Sequence, residues 1–310
     1  FAIDQYVMRG GKVLWFIDPV ITLPDSLANG MTISLVNQLN IEELLFKYGF
    51  RVDYNIVTDL QCNFIPVNIS IDEDNRDTEM RPWVYSPIFS APSTHPITRG
   101  LNYILGQFCS SFDTLSGFPE LNRTILLSTS ERTQDRQVPL RITMDEVSRD
   151  PNPNLFTSAH LPVAGLAEGV FNSFYANYSV PKGVYPANAK IVRESVPTSM
   201  LLVTDGDMIR NEVRVENRGY AADVLGYDKY TRQTFGNLEF IMNAINYMTD
   251  DTGLMELRSR EFRLRLLSKT VRTDKKVMIR WKVINSIVPV VIIIVSGIAF
   301  AWFRRRKYTS

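Results

Sequence analysis

The sequence predicts an α/β fold, a mainly parallel sheet flanked by helices, with one C-terminal transmembrane helix. Three observations predict it. Strand, helix and strand patterns follow one another at the start of the chain, the order of a parallel βαβ unit. A well-formed amphipathic helix pattern lies late in the chain. An uncharged run then closes it, from Val283 to Phe303.

The first element is Lys12 to Asp18, KVLWFID, an apolar run between Gly10-Gly11 and Pro19. Such a run bounded by turn residues reads as a buried strand. Ile33 to Tyr48 carries Ile33, Val36, Leu39, Ile41, Leu44, Leu45 and Tyr48 near helical spacing, and Gly49 is a helix stop. Arg51 to Thr58 alternates Val52, Tyr54 and Ile56, which predicts a second strand. Asn68 to Arg81 is polar and acidic, the pattern of an exposed loop. Further strands are predicted over Pro82 to Ala91, Tyr103 to Phe112, Thr124 to Ser128, Pro162 to Ala167 and Ser199 to Thr204. Pro119 to Leu121 and Glu131 to Asn154 read as connections. Asn237 to Met248 predicts a helix with Leu238, Ile241, Met242, Ile245 and Met248 on one face.

About 20 apolar residues in a helix cross a hydrocarbon core roughly 30 Å thick. The tail run meets that length, and Trp281 and Trp302 bracket it where amphipathic rings favour an interface. Arg304, Arg305, Arg306 and Lys307 follow. Ser296, Gly297 and Ala299 are small enough to let a partner helix approach, or are lipid-facing filler. The expected organisation is a globular domain over 1–253 with a subdomain border near 150, a basic linker over 254–282, a membrane span over 283–303 and a tail over 304–310. The cations between Arg258 and Lys282 suit anionic lipid headgroups or a solvated linker equally. Residue 1 is Phe, so the chain is expected to be a piece of something longer.

Composition narrows the chemistry. The 310 residues carry a net charge of +1, which leaves no electrostatic footprint for nucleic acid. The two cysteines, Cys62 and Cys109, form one disulfide or are two buried thiols. No CxxC or Cys/His cluster marks a metal site, no GxxxxGK[ST] loop marks a nucleotide site, and no GxSxG elbow marks a serine nucleophile. Asn68, Asn122 and Asn177 match the glycosylation pattern, which arises often by chance. Asp18 ends the first strand, and the carboxyl ends of parallel strands are where such sheets place ligands. Asp205 and Asp207 follow the apolar run Met200 to Thr204, where they suit a divalent cation or a tight turn around Gly206. His95 and His160 have no sequence-local nucleophile. Neither a catalytic residue nor a cofactor is therefore assigned, and Asp18, Asp205, Asp207 and His95 stand as ligand candidates. Aromatics cluster at Trp83, Tyr85, Phe171, Phe174, Tyr175 and Tyr178, as core or as a binding surface for a glycan, peptide or lipoprotein cargo.

Several segments, in this order, resemble the GldG family of gliding-motility ABC-transporter auxiliary proteins. They are Tyr6 to Pro19, the HPITRGL element from His95 to Leu101, and Leu201 to Asp207 ending in D-x-D. Gly236-Asn237 to Tyr247, Arg263 to Leu267 and the closing RRRKY continue the likeness. The resemblance implies an α/β domain of the class I amidotransferase-like or flavodoxin-like kind. It also implies a non-enzymatic accessory subunit, with a multispanning GldF-like permease and a GldA-like ATPase as partners. Gliding motility and type IX secretion are the implied processes, and a homo-oligomer within the complex is compatible with them. A bare count of cations would leave the globular part in the cytoplasm. The resemblance instead implies an inner-membrane protein with that part in the periplasm and Arg304 to Lys307 in the cytoplasm.

Overall fold

A computed structural model describes residues 1–68, 78–91, 95–115, 117, 120–178, 180, 183, 190–216, 219–250, 252–253, 279, 286–287, 289 and 293–304. The chain forms two compact units, 1–259 and 260–310.

The first unit is organised on a four-stranded sheet of β1 (Val13–Phe16), β2 (Leu121–Ser128), β3 (Pro162–Gly169) and β4 (Thr198–Val203), in the order β1-β4-β3-β2. β1 and β4 run parallel, with Val13 opposite Met200 and Phe16 opposite Val203. β3 pairs antiparallel with both β4 and β2. β4 is buried along its whole length, so its sequence is an unbroken apolar run rather than an alternating one.

Each face of this sheet carries a core. On one face lies α3 (Asn237–Thr249), whose Phe240, Ile241, Ala244 and Met248 pack with Leu166, Leu201 and Val203. On the other face lie α1 (Ala2–Met8) and α2 (Glu42–Lys47). There Val7, Met8, Leu45 and Tyr48 join Met200, Leu202, Phe50 and Phe112. A third core, with Trp83, Tyr85, Ile56, Phe108 and Ile142, serves the smaller sheets. Those sheets are all antiparallel. Asn55–Asp59 pairs with Thr133–Gln137, and Met31–Val36 lies between Val20–Ile21 and Leu140–Thr143. Thr78–Phe89 lies between Cys62–Asn68 and Ile104–Leu105. Phe50–Val52 pairs with Phe112–Thr114, and two hairpins, Val213–Glu216 with Gly219–Ala222 and Tyr227–Asp228 with Gln233–Thr234, complete the set.

Two expectations are corrected here. The sheet is not mainly parallel and flanked by helices: among the described residues β1 with β4 is the one parallel pair, and the remainder is small antiparallel sheets with few helices. The opening βαβ unit fails because residues 31–36 form a strand, so the helix begins only at Glu42. Met31, Ile33 and Leu35 alternate with Thr32 and Ser34, a period of two that the wider helical spacing concealed. The predicted connection over 131–154 contains the strands Thr133–Gln137 and Leu140–Thr143.

The second correction concerns the tail. Among the described residues no helix is long and apolar enough to cross a membrane. The described helix there covers 293–304, roughly 18 Å at 1.5 Å per residue against a core of about 30 Å. The expected span over 283–303 does not stand, nor does the inner-membrane and periplasmic placement that rested on it. Residues 286–287 and 289 are helical as well, but the described helical residues form no continuous run of the roughly 20 that a span needs. Ser296, Gly297, Ala299, Trp302 and Arg304 lie on the helix 293–304, whereas Trp281, Arg305, Arg306, Lys307 and nearly all of the predicted linker lie outside the described residues.

Candidate functional site

The parallel pairing of β1 and β4 brings their carboxyl ends together. The Ile17 amide extends the ladder by donating to the Val203 carbonyl at 3.0 Å. One step further, Asp18 and the turn Asp205-Gly206-Asp207 meet. The Gly206 amide donates to Asp18 Oδ1 at 2.6 Å. A Cβ at Gly206 would lie 2.5 Å from Asp18 Oδ2, so a larger residue there displaces the Asp18 carboxylate although the backbone is unstrained.

Asp205 is 1% exposed. Its Oδ2 accepts from the Gln107 amide at 2.9 Å and from the Cys109 thiol at 3.0 Å, and its Oδ1 from the Met208 amide at 3.2 Å. Burial pushes its carboxyl up to about 7; Asp207 and Asp18 add to the rise, while the Cys109 and Gln107 hydrogen bonds oppose it. The Cys109 thiol is itself held well above the usual range, first by burial and then by Asp205. Asp207 is raised by burial and by Asp18, partly offset by Arg210, with which it forms an ion pair at 2.8 Å.

The space beside these carboxylates is small. A cavity of ≈ 60 Å³ is lined by Gln107, Asp205, Asp207, Arg210, Glu212 and Tyr227 among others. Small-molecule pockets begin at roughly 300 Å³. Among the described residues no group of three or more His, Cys, Asp or Glu side chains is placed to hold a metal ion. Chemically, the arrangement fastens two strand ends to the loop 105–109 and offers little room for a substrate.

His95 stands apart from the carboxylates. Its ring lies 4.8 Å from that of Tyr247, its Nδ1 accepts from the Ile97 amide at 3.2 Å, and burial lowers its pKa. The Thr98 and Arg99 amides donate to its carbonyl. Ile97 is buried in the core, and its carbonyl accepts from Asn243 of α3 at 3.2 Å. The HPITRGL element is thus a turn that clasps α3. The Gly236-Asn237 pair has a similar use. Asn237 accepts from the Leu105 amide at 3.0 Å and donates to the Leu105 carbonyl at 2.9 Å, as a neighbouring strand would.

Two polar centres are absent from the sequence reading. One is the Cys109–Asp205 pair, whose members lie almost a hundred positions apart with no motif joining them. Both cysteines are free and buried. The other is Asp4, buried on α1, which accepts from Tyr48 Oη at 2.9 Å, Ser173 Oγ at 2.7 Å, the Phe174 amide at 2.8 Å and Gln5 Nε2 at 3.0 Å. The available signal was an acid in the first turn of a short helix that also carries Ile3, Val7 and Met8. The aromatics divide: Trp83, Tyr85 and Phe171 are buried, and Tyr178 is exposed. Larger clefts lie elsewhere. One of ≈ 480 Å³ is lined by Trp83, Tyr85, Arg136, Glu146, Leu155 and Phe156, and another of ≈ 690 Å³ by Glu42, Phe46, Arg51, Phe174 and Tyr178.

The strand ends thus hold a buried carboxylate, pinned by protein donors, beside a cavity of ≈ 60 Å³. Residues 1–244 match the model of a family described as an ABC-type uncharacterized transport system, and the chain belongs to that auxiliary family. A solved structure titled mmIFT52 N-terminal domain is 11% identical, with a TM-score of 0.36, covering 81% of this chain and 70% of that chain. At that distance the likeness says nothing about activity. No curated protein matches the chain.

Proposed function

We propose that this protein is a non-enzymatic accessory subunit that acts by binding the other components of an ABC-type transport system. The family membership supports an auxiliary role. The observation that carries the non-catalytic part is Asp205, whose two carboxylate oxygens are occupied by three protein donors beside a cavity of ≈ 60 Å³. No nucleotide motif is present, so coupling to ATP must come from another chain. The finer resemblance to GldG makes a multispanning GldF-like permease and a GldA-like ATPase the proposed partners, and gliding motility with type IX secretion the proposed setting.

A hydrolase reading has two points in its favour, the meeting of Asp18 with the Asp205 turn and the raised carboxyl of Asp205. The missing space and the occupied lone pairs weigh more. A second binding reading, capture of a glycan, peptide or lipoprotein cargo, draws on the ≈ 480 Å³ cleft beside Trp83 and Tyr85.

The test is affinity purification of the tagged full-length chain in mild detergent, followed by mass spectrometry, with Asp205→Asn and Asp207→Asn variants in parallel. Recovery of a permease and an ATPase by the wild type and by both folded variants is the expected result. Folded variants that recover the partners but abolish transport-dependent function would point instead to chemistry at these carboxylates.

A further inference from the structure

In the three-stranded sheet of Val20–Ile21, Met31–Val36 and Leu140–Thr143, the central strand wears its pattern inside out. Along Met31–Val36 the polar Thr32 and Ser34 are buried, while Met31, Ile33 and Leu35 are exposed. The inner face is satisfied: Ser34 Oγ shares a 2.7 Å hydrogen bond with Thr22 Oγ1, and Ile142, opposite Thr32, is fully buried. The outer face therefore gathers Ile33 at 51%, Leu35 at 52% and Ile21 at 46% exposure, with Ile21 directly opposite Leu35. Met31 extends the strip along the same strand. A half-buried sheet normally turns its apolar residues inward, and contiguous exposed apolar patches beyond a few hundred Å² mark interaction sites on soluble monomers.

One charge sits within this strip. Arg141 is the cross-strand neighbour of Ile33, is exposed, and makes no ion pair among the described residues. Arginine inside an apolar patch is a common anchor of protein interfaces. It also argues against a second copy of this chain as the occupant. A two-fold interface places the same patch on both sides, so the Arg141 of each copy would be drawn into one dry centre with a like charge.

We propose that this outward sheet face, Ile21, Ile33, Leu35 and Arg141, is the surface by which the chain docks onto a protein subunit of its transport system, one that presents apolar side chains around a carboxylate. The assignment rests on the accessory-subunit reading and adds the surface and the chemistry of its partner.

The experiment places a photocrosslinking phenylalanine analogue at Ile33 in the full-length chain, in the cells that make it, alongside the same chain carrying Arg141→Glu. Both changes lie on exposed positions, so urea midpoints should match the wild type. The expected result is an adduct between position 33 and a permease or ATPase subunit, reduced at least tenfold by Arg141→Glu. Reversing the carboxylate nearest the adduct to Lys should restore it. Adducts only to a second copy of the chain would overturn the proposal in favour of self-association. Absence of adducts while the wild type still recovers the transport subunits would overturn the surface and leave the accessory role standing. Failure of the wild type to recover those subunits would sink both.

Discussion

At the scale of single residues, the chain spends its buried charges on fastening. Asp4 ties α1 to the end of α2 and to the segment 173–174, and Asp205 ties β4 to the loop that carries Gln107 and Cys109. Asp205 has a pH consequence with a definite sign. Its folded carboxyl is raised from 3.8 to about 7, so between those values the folded chain keeps a proton that the unfolded chain has released. This contribution to stability is full below the unfolded value and is lost as pH rises through the folded one. The loss is at most about 4 kcal/mol, at roughly 1.4 kcal/mol per unit. Stability from urea titration should therefore fall between pH 4 and 7 more steeply in the wild type than in Asp205→Asn. The comparison uses slopes, so it holds even though the amide must face the Gln107 N–H and lowers the baseline. Equal slopes would mean that Asp205 is ionised in the fold across that range.

At the scale of elements, strands buried on both faces were legible, and polar or half-buried ones such as Met31–Val36 were not. β1 and β4 were read within two residues at each end because burial on both faces demands unbroken apolar runs. Thr133–Gln137, TQDRQ, holds its place through backbone pairing with Asn55–Asp59 and carries no hydrophobic signal at all. The candidate carboxylates were legible as strand ends, but their meeting depends on β1 pairing with a strand more than 180 positions away. The late helix was found, yet its inward face was not the one its large residues suggest. α3 buries Phe240, Ile241, Ala244 and Met248, while Leu238, Met242 and Ile245 stay exposed. The small Ala244 is fully buried in the core with Leu166, Leu201 and Val203, a position that side-chain size and hydropathy do not signal. Phe240→Ala should then cost about 3–5 kcal/mol in urea unfolding through the cavity it leaves, and Ile245→Ala under about 1 kcal/mol. A reversed order would return the inward face to the residues the periodicity first indicated.

At the scale of the whole molecule, division into two units decides what can be tested apart. All three cores lie within residues 1–259, and so does every strand pair among the described residues. The outward strip around Ile33 and Arg141 belongs to the same unit, as do the carboxylates at the strand ends. A unit of this size buries enough apolar surface to be stable by itself. The fragment 1–259 should accordingly unfold in one cooperative step, followed through Trp15 and Trp83, whose rings sit in the first unit. Its unfolding free energy in urea should match that of the same transition in the full chain to within about 0.5 kcal/mol. A drop of several kcal/mol would show that residues beyond 259 complete one of the three cores. If the fragment is stable and still recovers the transport subunits, the docking function travels with the sheets. If it is stable and recovers none, the association requires the second unit, and the strip around Ile33 is not sufficient for it.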